Sequence, residues 1–575
     1  MPTSSPVSAL RRLNQLQSSI DPTNSGPSAN MGSISTSSTW DTNIAPDFDV
    51  LIIGAGLSGI YALHRMRQLG LRARVLEAGG AEGGTWYWNR YPGARFDSES
   101  YSYQFSFSQE ILDEWNWTEH FAPQTETLKY AQFVTDKLDL RRDMQFNTSI
   151  KSAHWRDDTC SWLLTDETGD QYTSRYLITC MGILNQPTYP NIPGVHDFKG
   201  EAFHTARWPE HASVDGKRVG IIGTGATGIQ TIQEIAKTVG SLKVFQRTPN
   251  WTGPLRNAPI TPEEMIEIRK RYPEIFKACA DSHACFMHPA EPRGMFDISQ
   301  EEREALWEDL YAKPGFAKWL SNFRDMHYDQ KANDLYSNWV ANKIRERVKD
   351  PVVAEKLIPK NHGYGTRRVP LETFYYEVYN QDNVELIDLN EDPIQKITET
   401  GVQTASRHID LDVLIYATGF DAVTGAFTAV DFQGVGGVKL KDVWSEGPRT
   451  QLGLTVHGFP NMMMSMGPHQ MFGNIPRSIE YAVSWIADCI KYCTENHINR
   501  IEATEDGVER WTEHVHKCAV GLLANDVDSW MTGVNKNVSH KQKRIIARYQ
   551  GSAPGYRKLA SEVAARNYAD FNLAY

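Results

Sequence analysis

The sequence predicts an α/β protein with two Rossmann-like dinucleotide-binding domains and an inserted helical domain. Two strand–glycine–helix patterns indicate the nucleotide-binding domains, at Phe48–Gly59 (FDVLIIGAGLSG) and Lys217–Gly228 (KRVGIIGTGATG). In each, an apolar, β-branched run ends in glycines that open a helical run, which is the order of a βαβ unit. Residues 251–365 then show helical periodicity interrupted by turns, which predicts the helical domain.

The first glycine pattern predicts a pyrophosphate site. Gly54-x-Gly56-x-x-Gly59 permits a tight turn and a close approach of the backbone, and the helix that begins at Leu57 supplies N–H groups and a positive dipole. Glu77 ends the next predicted strand. Its carboxylate suits a ribose hydroxyl pair and repels a 2′-phosphate, so the site is predicted to hold FAD or NAD.

The second pattern repeats this design with a different strand end. Gly223, Gly225 and Gly228 form the glycine turn, and the following strand ends in Gln246-Arg247-Thr248 where the first has an acid. A guanidinium and a hydroxyl suit a 2′-phosphate through charge-assisted hydrogen bonds. The second site is therefore predicted to prefer NADP.

Composition excludes several classes of protein. Of the 575 residues, 41% are apolar and 22% are charged, as in ordinary globular proteins. The net charge of −11 argues against a nucleic-acid partner. No apolar run reaches the roughly 20 residues of a membrane span. Seven cysteines, an odd number without metal-ligand spacing, indicate reduced thiols, no metal site and a cytoplasmic protein.

The domains are expected to be discontinuous. Residues 1–45, rich in Ser, Thr, Asn and Pro, predict a disordered tail in which Arg11 and Arg12 leave organelle targeting open. The apolar run Leu411–Gly419 is expected to return the chain to the first domain. The predicted bounds are 46–185 and 412–575 for the first domain, 186–250 and 366–411 for the second, and 251–365 for the insertion.

Two longer motifs go beyond nucleotide binding. Phe198, Gly200, His204 and Trp208 form F-x-G-x-x-x-H-x-x-x-W-P between the two glycine patterns. The segment Gly83–Asp97 reads G-G-x-W-x-x-x-x-[FY]-P-G-x-x-x-D. Both resemble the signatures of the type I Baeyer–Villiger monooxygenases, and the resemblance extends from about residue 47 to residue 533. Without that context, the spacing of Gly200, His204 and Trp208 would also fit one face of a helix.

The resemblance implies an activity that the glycine patterns alone do not. NADPH reduces bound FAD, O2 adds to the flavin C4a as a peroxide, and the peroxide attacks a ketone carbonyl. The tetrahedral adduct then gives an ester or lactone. Arg368 is implied as the cation that stabilises the developing anion, since arginine keeps its charge at any working pH. Asp97 is expected to hydrogen-bond and orient it, and Arg367 to join Arg247 and Thr248 on the 2′-phosphate.

The resemblance also implies further neighbours of the cofactors. His204 and Trp208 are expected at an interdomain hinge. Ile150 is expected beside a cofactor. The expected FAD neighbours are Thr85, Trp86, Tyr87, Trp88, Tyr103 and Ile475. The expected NADP neighbours are Arg95, Phe96, Thr224, Gly225, Ala226, Thr227, Gly228, Ile229, Gln230 and Trp530.

Three other functions share part of this pattern. A disulfide reductase would need a cysteine pair beside the flavin, and the cysteine spacing lacks it. An N- or S-oxygenating flavoenzyme shares much of the hinge motif but lacks the G-G-x-W loop, and it remains the alternative function. A non-catalytic FAD-dependent sensor is disfavoured by Asp97 and Arg368. The segment Gly467–Arg477 resembles the cycloalkanone-oxidising branch.

Overall fold

The computed structural model describes residues 45–575. Except for its last residue, the predicted tail lies outside the described residues and stays a prediction. The strands are β1 (Phe48–Ile53), β2 (Ala73–Leu76), β3 (Met144–Gln145), β4 (Ile150–Arg156), β5 (Ser161–Asp166), β6 (Gln171–Thr179), β7 (Gln186–Pro187), β8 (Glu201–His204), β9 (Arg218–Ile222), β10 (Ser241–Gln246), β11 (Gly253–Pro254), β12 (Leu371–Glu372), β13 (Val384–Asp388), β14 (Ile394–Thr398), β15 (Gly401–Thr404), β16 (His408–Asp410), β17 (Val413–Tyr416), β18 (Phe420–Asp421), β19 (Asp431–Gln433), β20 (Met462–Met464), β21 (Arg500–Ala503) and β22 (Phe571–Ala574).

Helices surround the strands. They are α1 (Leu57–Gln68), α2 (Thr85–Trp88), α3 (Gln109–Glu114), α4 (Gln124–Lys137), α5 (Ala226–Ile235), α6 (Pro262–Lys270), α7 (Tyr272–Asp281), α8 (Gln300–Ala312), α9 (Ala317–Leu320), α10 (Gln330–Arg347), α11 (Pro351–Leu357), α12 (Gly425–Thr428), α13 (Leu440–Val443), α14 (Ile475–Glu495), α15 (Glu505–Ala519) and α16 (Ala553–Ala565). Among residues 45–575, no helix combines the length and apolar character that crossing a bilayer requires.

The first sheet is built around β1. This strand lies between β2 and β6 and is parallel to both, with Val50 opposite Ala73 on one side and Tyr176 on the other. The last four residues of β1 are buried, because a central parallel strand is covered on both faces, and this explains its uninterrupted apolar run. The sheet continues outward as β19-β4-β5-β6-β1-β2-β3, and β20 pairs with β6.

The second sheet repeats the arrangement around β9. Its order is β13-β10-β9-β17-β8, and all its pairings are parallel. Val219 of β9 lies opposite Leu242 and Val413. The fold class predicted from the two glycine patterns is confirmed by these two sheets and by the solved structures compared below.

Strand β17 corrects one predicted boundary. The chain was expected to return to the first domain from residue 412, yet Val413–Tyr416 pairs with both β8 and β9 in the second sheet. The physical reason is that β1 already has a parallel neighbour on each side, while β9 needs one on the side away from β10. The chain leaves the second sheet only after Tyr416.

The two connections between the sheets run side by side. After β6, β7 pairs in antiparallel fashion with β18, with Pro187 opposite Phe420. Thr188 strengthens this contact, because its backbone N–H donates to the carbonyl of Gly419 at 2.9 Å. The junction is therefore a two-stranded link, and the hinge motif begins just after it.

Six helices, α6 to α11, lie within residues 262–357, where the periodicity predicts helices interrupted by turns. Thr261 caps α6, and Ser299 forms a capping box with Glu302 at the start of α8. Asp329 and Asp350 cap α10 and α11 with their carboxylates. Each cap satisfies N–H groups that have no partner within their helix, which fixes where the helix begins.

Candidate active site

The first glycine turn leaves no room for side chains. Gly54 has φ of +103°, and a Cβ on it would lie 2.5 Å from the carbonyl oxygen of Cys180, at the end of the neighbouring strand β6. A Cβ on Gly59 would overlap the carbonyl of Gly54. The glycines therefore let α1 pack closely against the turn. They also leave the backbone after the end of β1 free of side chains, so that a pyrophosphate can approach it.

The second turn has the same construction. Gly223 has φ of +110°, and its Cβ would lie 2.5 Å from the carbonyl of Ala417, at the end of β17. A Cβ on Gly228 would overlap the carbonyl of Gly223. The N-cap residues of helices α1 and α5 are Gly56 and Gly225, so neither helix has a side-chain cap, and neither has an acidic residue in its first turn. Their first N–H groups and positive ends are thus available to an anion, and both turns fit a dinucleotide.

The acid that ends β2 is held by backbone. Glu77 accepts hydrogen bonds from the N–H groups of Ala55 and Gly79, each at 2.7 Å. Burial raises the pKa of Glu77, and these two N–H groups oppose the shift. The carboxylate is therefore fixed beside the first glycine turn, where the sequence predicted a ribose contact.

Two arginines meet at the end of β10. Burial is the largest cause of the lowered pKa of Arg367; the positive charge of Arg247 lowers it further and Asp528 opposes the shift. The buried Nε of Arg367 has no hydrogen-bond partner among the described residues. The hydroxyl of Thr224 donates to the carbonyl of Thr248 at 3.1 Å, which ties the strand end to the glycine turn. Two cations close together fit a dianionic phosphate, as predicted for NADP.

The G-G-x-W loop connects the two nucleotide-binding folds. The hydroxyl of Tyr91 donates to Oε1 of Gln230 at 2.8 Å, and Nε2 of Gln230 donates to the carbonyl of Arg95 at 3.0 Å. Arg207 of the hinge motif stacks over the ring of Trp88, 4.3 Å from its centre. The two family signatures are thus in contact. Gln230 makes side-chain bonds to this loop, and its expected contact with NADP stays a prediction.

An aromatic cluster lies at the end of the loop. Phe96 stacks on Tyr103 with ring centres 4.3 Å apart, and Trp86 meets both rings edge-on at 5.7 and 5.8 Å. Phe96 belongs to the core of the first sheet and is buried. Its neighbours in the cluster are two expected FAD contacts, and the expected place of Phe96 beside NADP stays a prediction.

Asp97 and Arg368 form the predicted ion pair. Nη2 of Arg368 lies 2.8 Å from Oδ2 of Asp97, and the same oxygen accepts from the N–H of Leu371 at 3.2 Å. The Asp97 side chain is 4% exposed and that of Arg368 is 30% exposed. Burial raises the pKa of Asp97, and the charge of Arg368 opposes that shift most strongly. The guanidinium is thus anchored on one side and accessible on the other.

Residues of the helical segment support this arginine and were missed from the sequence. The guanidinium lies over the rings of Phe316 and Trp319, 4.9 and 5.9 Å from their centres. Between them in sequence, the fully buried Lys318 donates from Nζ to the carbonyls of Pro254, Lys313 and Gly315. No motif marks these residues; a buried lysine is found only once the loop is seen folded around it.

His204 lies at the junction of the two sheets. It ends strand β8, which rules out the helical alternative for this motif. Its ring contacts Tyr189 and Phe420, one from each connecting segment, at 5.8 and 5.7 Å. Burial lowers the pKa of His204 to about 4, so the ring is neutral at physiological pH. This placement agrees with the predicted hinge and with no role in proton transfer.

The other residues of the hinge motif make packing contacts in the second sheet. Trp208 meets Phe203 edge-on at 4.6 Å, and Phe198 lies in the core on the other face of the second sheet. A Cβ on Gly200 would lie 2.6 Å from the carbonyl of Asp412, so the glycine lets the segment approach β17.

Several residues that are expected beside the cofactors lie in the hydrophobic cores or at the first turn of a helix. Ile229 is fully buried in the core of the second sheet, and Ile150 is buried in the core behind β1. Trp530 packs beside Ala422 and Phe472. Ala226 and Thr227 begin α5, and Ile475 begins α14. Thr85 is exposed, and the ring of Tyr87 meets that of Trp88 edge-on.

The matching family model places the chain in a class. The flavin-binding monooxygenase-like family model matches residues 48–277, which contain both glycine turns and both signature motifs. The chain belongs to this family, as its relatives also show. A 2-oxo-Δ3-4,5,5-trimethylcyclopentenylacetyl-CoA monooxygenase of Pseudomonas putida is 43% identical over 92% of this chain and 99% of the relative.

Two further comparisons narrow the class. A cyclohexanone 1,2-monooxygenase of an Acinetobacter species is 39% identical over 92% of this chain and 97% of the relative. The crystal structure of OTEMO in complex with FAD and NADP has a TM-score of 0.89 and 43% identity, covering 92% of this chain and all of that one. Within the family, the chain is a Baeyer–Villiger monooxygenase that uses FAD and NADPH.

Proposed function

We propose that this enzyme converts a cyclic ketone to its lactone, with Arg368 as the catalytic cation and Asp97 as the residue that positions it. Bound FAD, once reduced by NADPH, would activate O2, so that one oxygen atom is inserted beside the carbonyl and the other leaves as water. The chain itself must hold the ketone and stabilise the negative charge that develops on oxygen. A permanently charged guanidinium performs that task without a proton change.

The ion pair of Asp97 and Arg368 is the observation that carries the proposal. Asp97 ends the G-G-x-W loop that follows β2, while Arg368 lies on the segment that enters β12. The pair therefore joins the FAD-binding part of the chain to the NADP-binding part. The guanidinium also lies over the rings of Phe316 and Trp319, so its position is fixed while part of it stays accessible.

The substitution Arg368→Ala tests the role of the cation. We expect NADPH to reduce the flavin at a rate close to that of the parent, and lactone formation to fall on the order of 10²- to 10³-fold. Stopped-flow absorbance measures the first step, and gas chromatography with cyclohexanone measures the second. Arg303→Ala removes another arginine stacked on an aromatic ring, over Trp307, and should leave both rates unchanged.

Two outcomes would contradict the proposal. Near-parent lactone formation by Arg368→Ala would remove Arg368 from catalysis. Preferential oxidation of a thioether or amine over every ketone tested would favour the N- or S-oxygenating alternative.

A further inference from the structure

Arg548 is a cation that the proposed reaction does not use. Its Nε is enclosed by protein, and among residues 45–575 the side chain makes neither a hydrogen bond nor an ion pair. Burial alone lowers the pKa of Arg548 to about 10, with no contribution from a carboxylate or a second cation. Arg548 as a whole is half-buried. A guanidinium whose Nε is enclosed and which has no partner among residues 45–575 is available to an anion.

Backbone hydrogen bonds fix Arg548 against the segment Gly467–Arg477. The N–H of His469 donates to the carbonyl of Ala547 at 3.0 Å, and the N–H of Tyr549 donates to the carbonyl of Gln470 at 3.3 Å. The ring of His469 also bonds to the carbonyl of Ile546 at 2.9 Å. Arg548 thus lies on a strand-like stretch that is bonded on both sides of it.

That segment leads to the candidate active site. It continues through Phe472 to Asn474, whose Nδ2 donates to the carbonyl of Ser102 at 3.2 Å. Ser102 precedes Tyr103, which stacks on Phe96, the residue before Asp97. On the other side, Ala547 packs in one cluster with Phe472 and Trp530. The immediate neighbours of Arg548 therefore border the region where cofactor and ketone are expected.

We propose that Arg548 binds a carboxylate on the substrate, so that the preferred substrates are cyclic keto acids. This inference rests on the proposed function. In this arrangement the two cations contact different groups of the substrate. Arg368 would face the carbonyl, and Arg548 would accept the acid through forked hydrogen bonds. An anionic phosphate of the cofactor is the other source of the same chemistry.

The test compares a cyclic keto acid, oxocyclohexaneacetate, with its methyl ester. For the parent we expect a higher kcat/KM with the acid. In Arg548→Met the ratio of acid to ester should fall on the order of 10- to 100-fold, which is the usual effect of losing a hydrogen bond to a charged group. Arg548→Lys should retain part of the preference. KM for NADPH should stay unchanged in both variants.

A matched control and a binding measurement complete the test. Arg544 lies on the same segment but is 46% exposed and paired with Asp528 at 2.8 Å, so Arg544→Met should keep the preference. In FAD-loaded protein without NADPH, the keto acid should raise Tm of the parent and not of Arg548→Met. That measurement needs no turnover, so it still reports on Arg548 if no ketone is oxidised.

Three results would overturn the inference. Equal losses with acid and ester in Arg548→Met, at unchanged flavin content, would give Arg548 a structural role only. A raised KM for NADPH would assign it to the cofactor. Equal kcat/KM of the parent for acid and ester, with no rise in Tm from the acid, would remove the anion site.

Discussion

At the scale of single residues, one carboxylate oxygen of Asp97 binds both the side chain of Arg368 and the backbone of Leu371. Oδ2 accepts both from Nη2 of Arg368 and from the N–H of Leu371, so the side chain fixes a cation and the start of β12 together. Its Oδ1 is buried and has no partner among the described residues. The charge of this buried carboxylate is therefore compensated by Arg368, and the position of Arg368 is fixed by the carboxylate.

The substitution Asp97→Asn tests this dependence. It keeps the shape of the side chain but removes the charge that orients Arg368, so lactone formation should fall about 10²-fold while NADPH still reduces the flavin. The ratio of lactone formed to NADPH consumed measures the effect. Asp136→Asn, which removes the exposed partner of Arg141 at 2.9 Å, is the control and should keep the parent ratio. An unchanged ratio in Asp97→Asn would show that the loop alone holds Arg368.

The substitution Arg247→Gln tests the predicted role of Arg247 in the preference for NADPH over NADH. In Arg247→Gln, one of the two cations at the end of β10 is lost, and KM for NADPH should rise about 10-fold or more, since one charge-assisted contact is removed. KM for NADH should change little, because NADH has no 2′-phosphate. Steady-state measurement of KM for NADPH and for NADH tests this prediction. A similar rise in KM for both cofactors would mean that Arg247 contacts a part of the cofactor other than the 2′-phosphate.

At the scale of elements, the two glycine turns are structural duplicates with separate ligands. In each, the third glycine lies against the carbonyl of the first, and the first lies against the end of a parallel neighbour, β6 or β17. The close packing of helix on strand places the bare N–H groups of the first helical turn at the strand mouth. A change in one turn should therefore leave the other functional.

Two alanine substitutions in the second turn separate packing from ligand contact. A Cβ at Gly228 would overlap the carbonyl of Gly223, whereas a Cβ at Gly225 meets nothing within 4 Å. Gly228→Ala should lower Tm and weaken NADPH binding; Gly225→Ala should keep Tm and still raise KM for NADPH about 10-fold, because it obstructs a pyrophosphate alone. Both proteins should retain FAD, as measured by absorbance. Loss of FAD in either would show that the two turns are coupled.

At the scale of the whole molecule, buried neutral histidines set the response to acid. Burial lowers the pKa of His204 and His469 from 6.5 to about 4, and that of His362 to about 3. As the pH falls below about 6.5, the unfolded chain binds protons before the folded one does. The stabilisation is complete above that pH and is lost as the pH falls towards the folded values.

The free energy of unfolding should therefore decrease between about pH 6.5 and pH 4, by up to about 4 kcal/mol per pH unit for these three groups. Urea midpoints measured across this range test the prediction. His469→Asn should make the dependence shallower, while the exposed His211 replaced by Asn should leave it unchanged. A free energy independent of pH in this range would mean that the histidines are protonated in the folded protein.

Much of the fold could be predicted because its signals are local. Strands β1, β2 and β9 and helices α1 and α5 follow from apolar runs and glycine spacing, which hold within a short stretch of chain. The ion pair of Asp97 and Arg368 was anticipated only through the family resemblance, since 271 residues separate its members. The contacts of Lys318 and the isolation of Arg548 carry no signal in the sequence, because burial depends on which distant segments pack around a side chain.

The amino-acid sequence alone determined two nucleotide folds, the different preferences of their strand ends, and the class of chemistry that its signatures accompany. Tertiary structure decided which sheet receives β17, how Phe96 packs, how Gln230 bonds to the G-G-x-W loop, and that Arg548 has no partner among residues 45–575. The reason is physical: turns and caps are satisfied by near neighbours along the chain. Strand pairing and the surroundings of a charged side chain depend instead on which segments, distant in sequence, pack together in the folded chain.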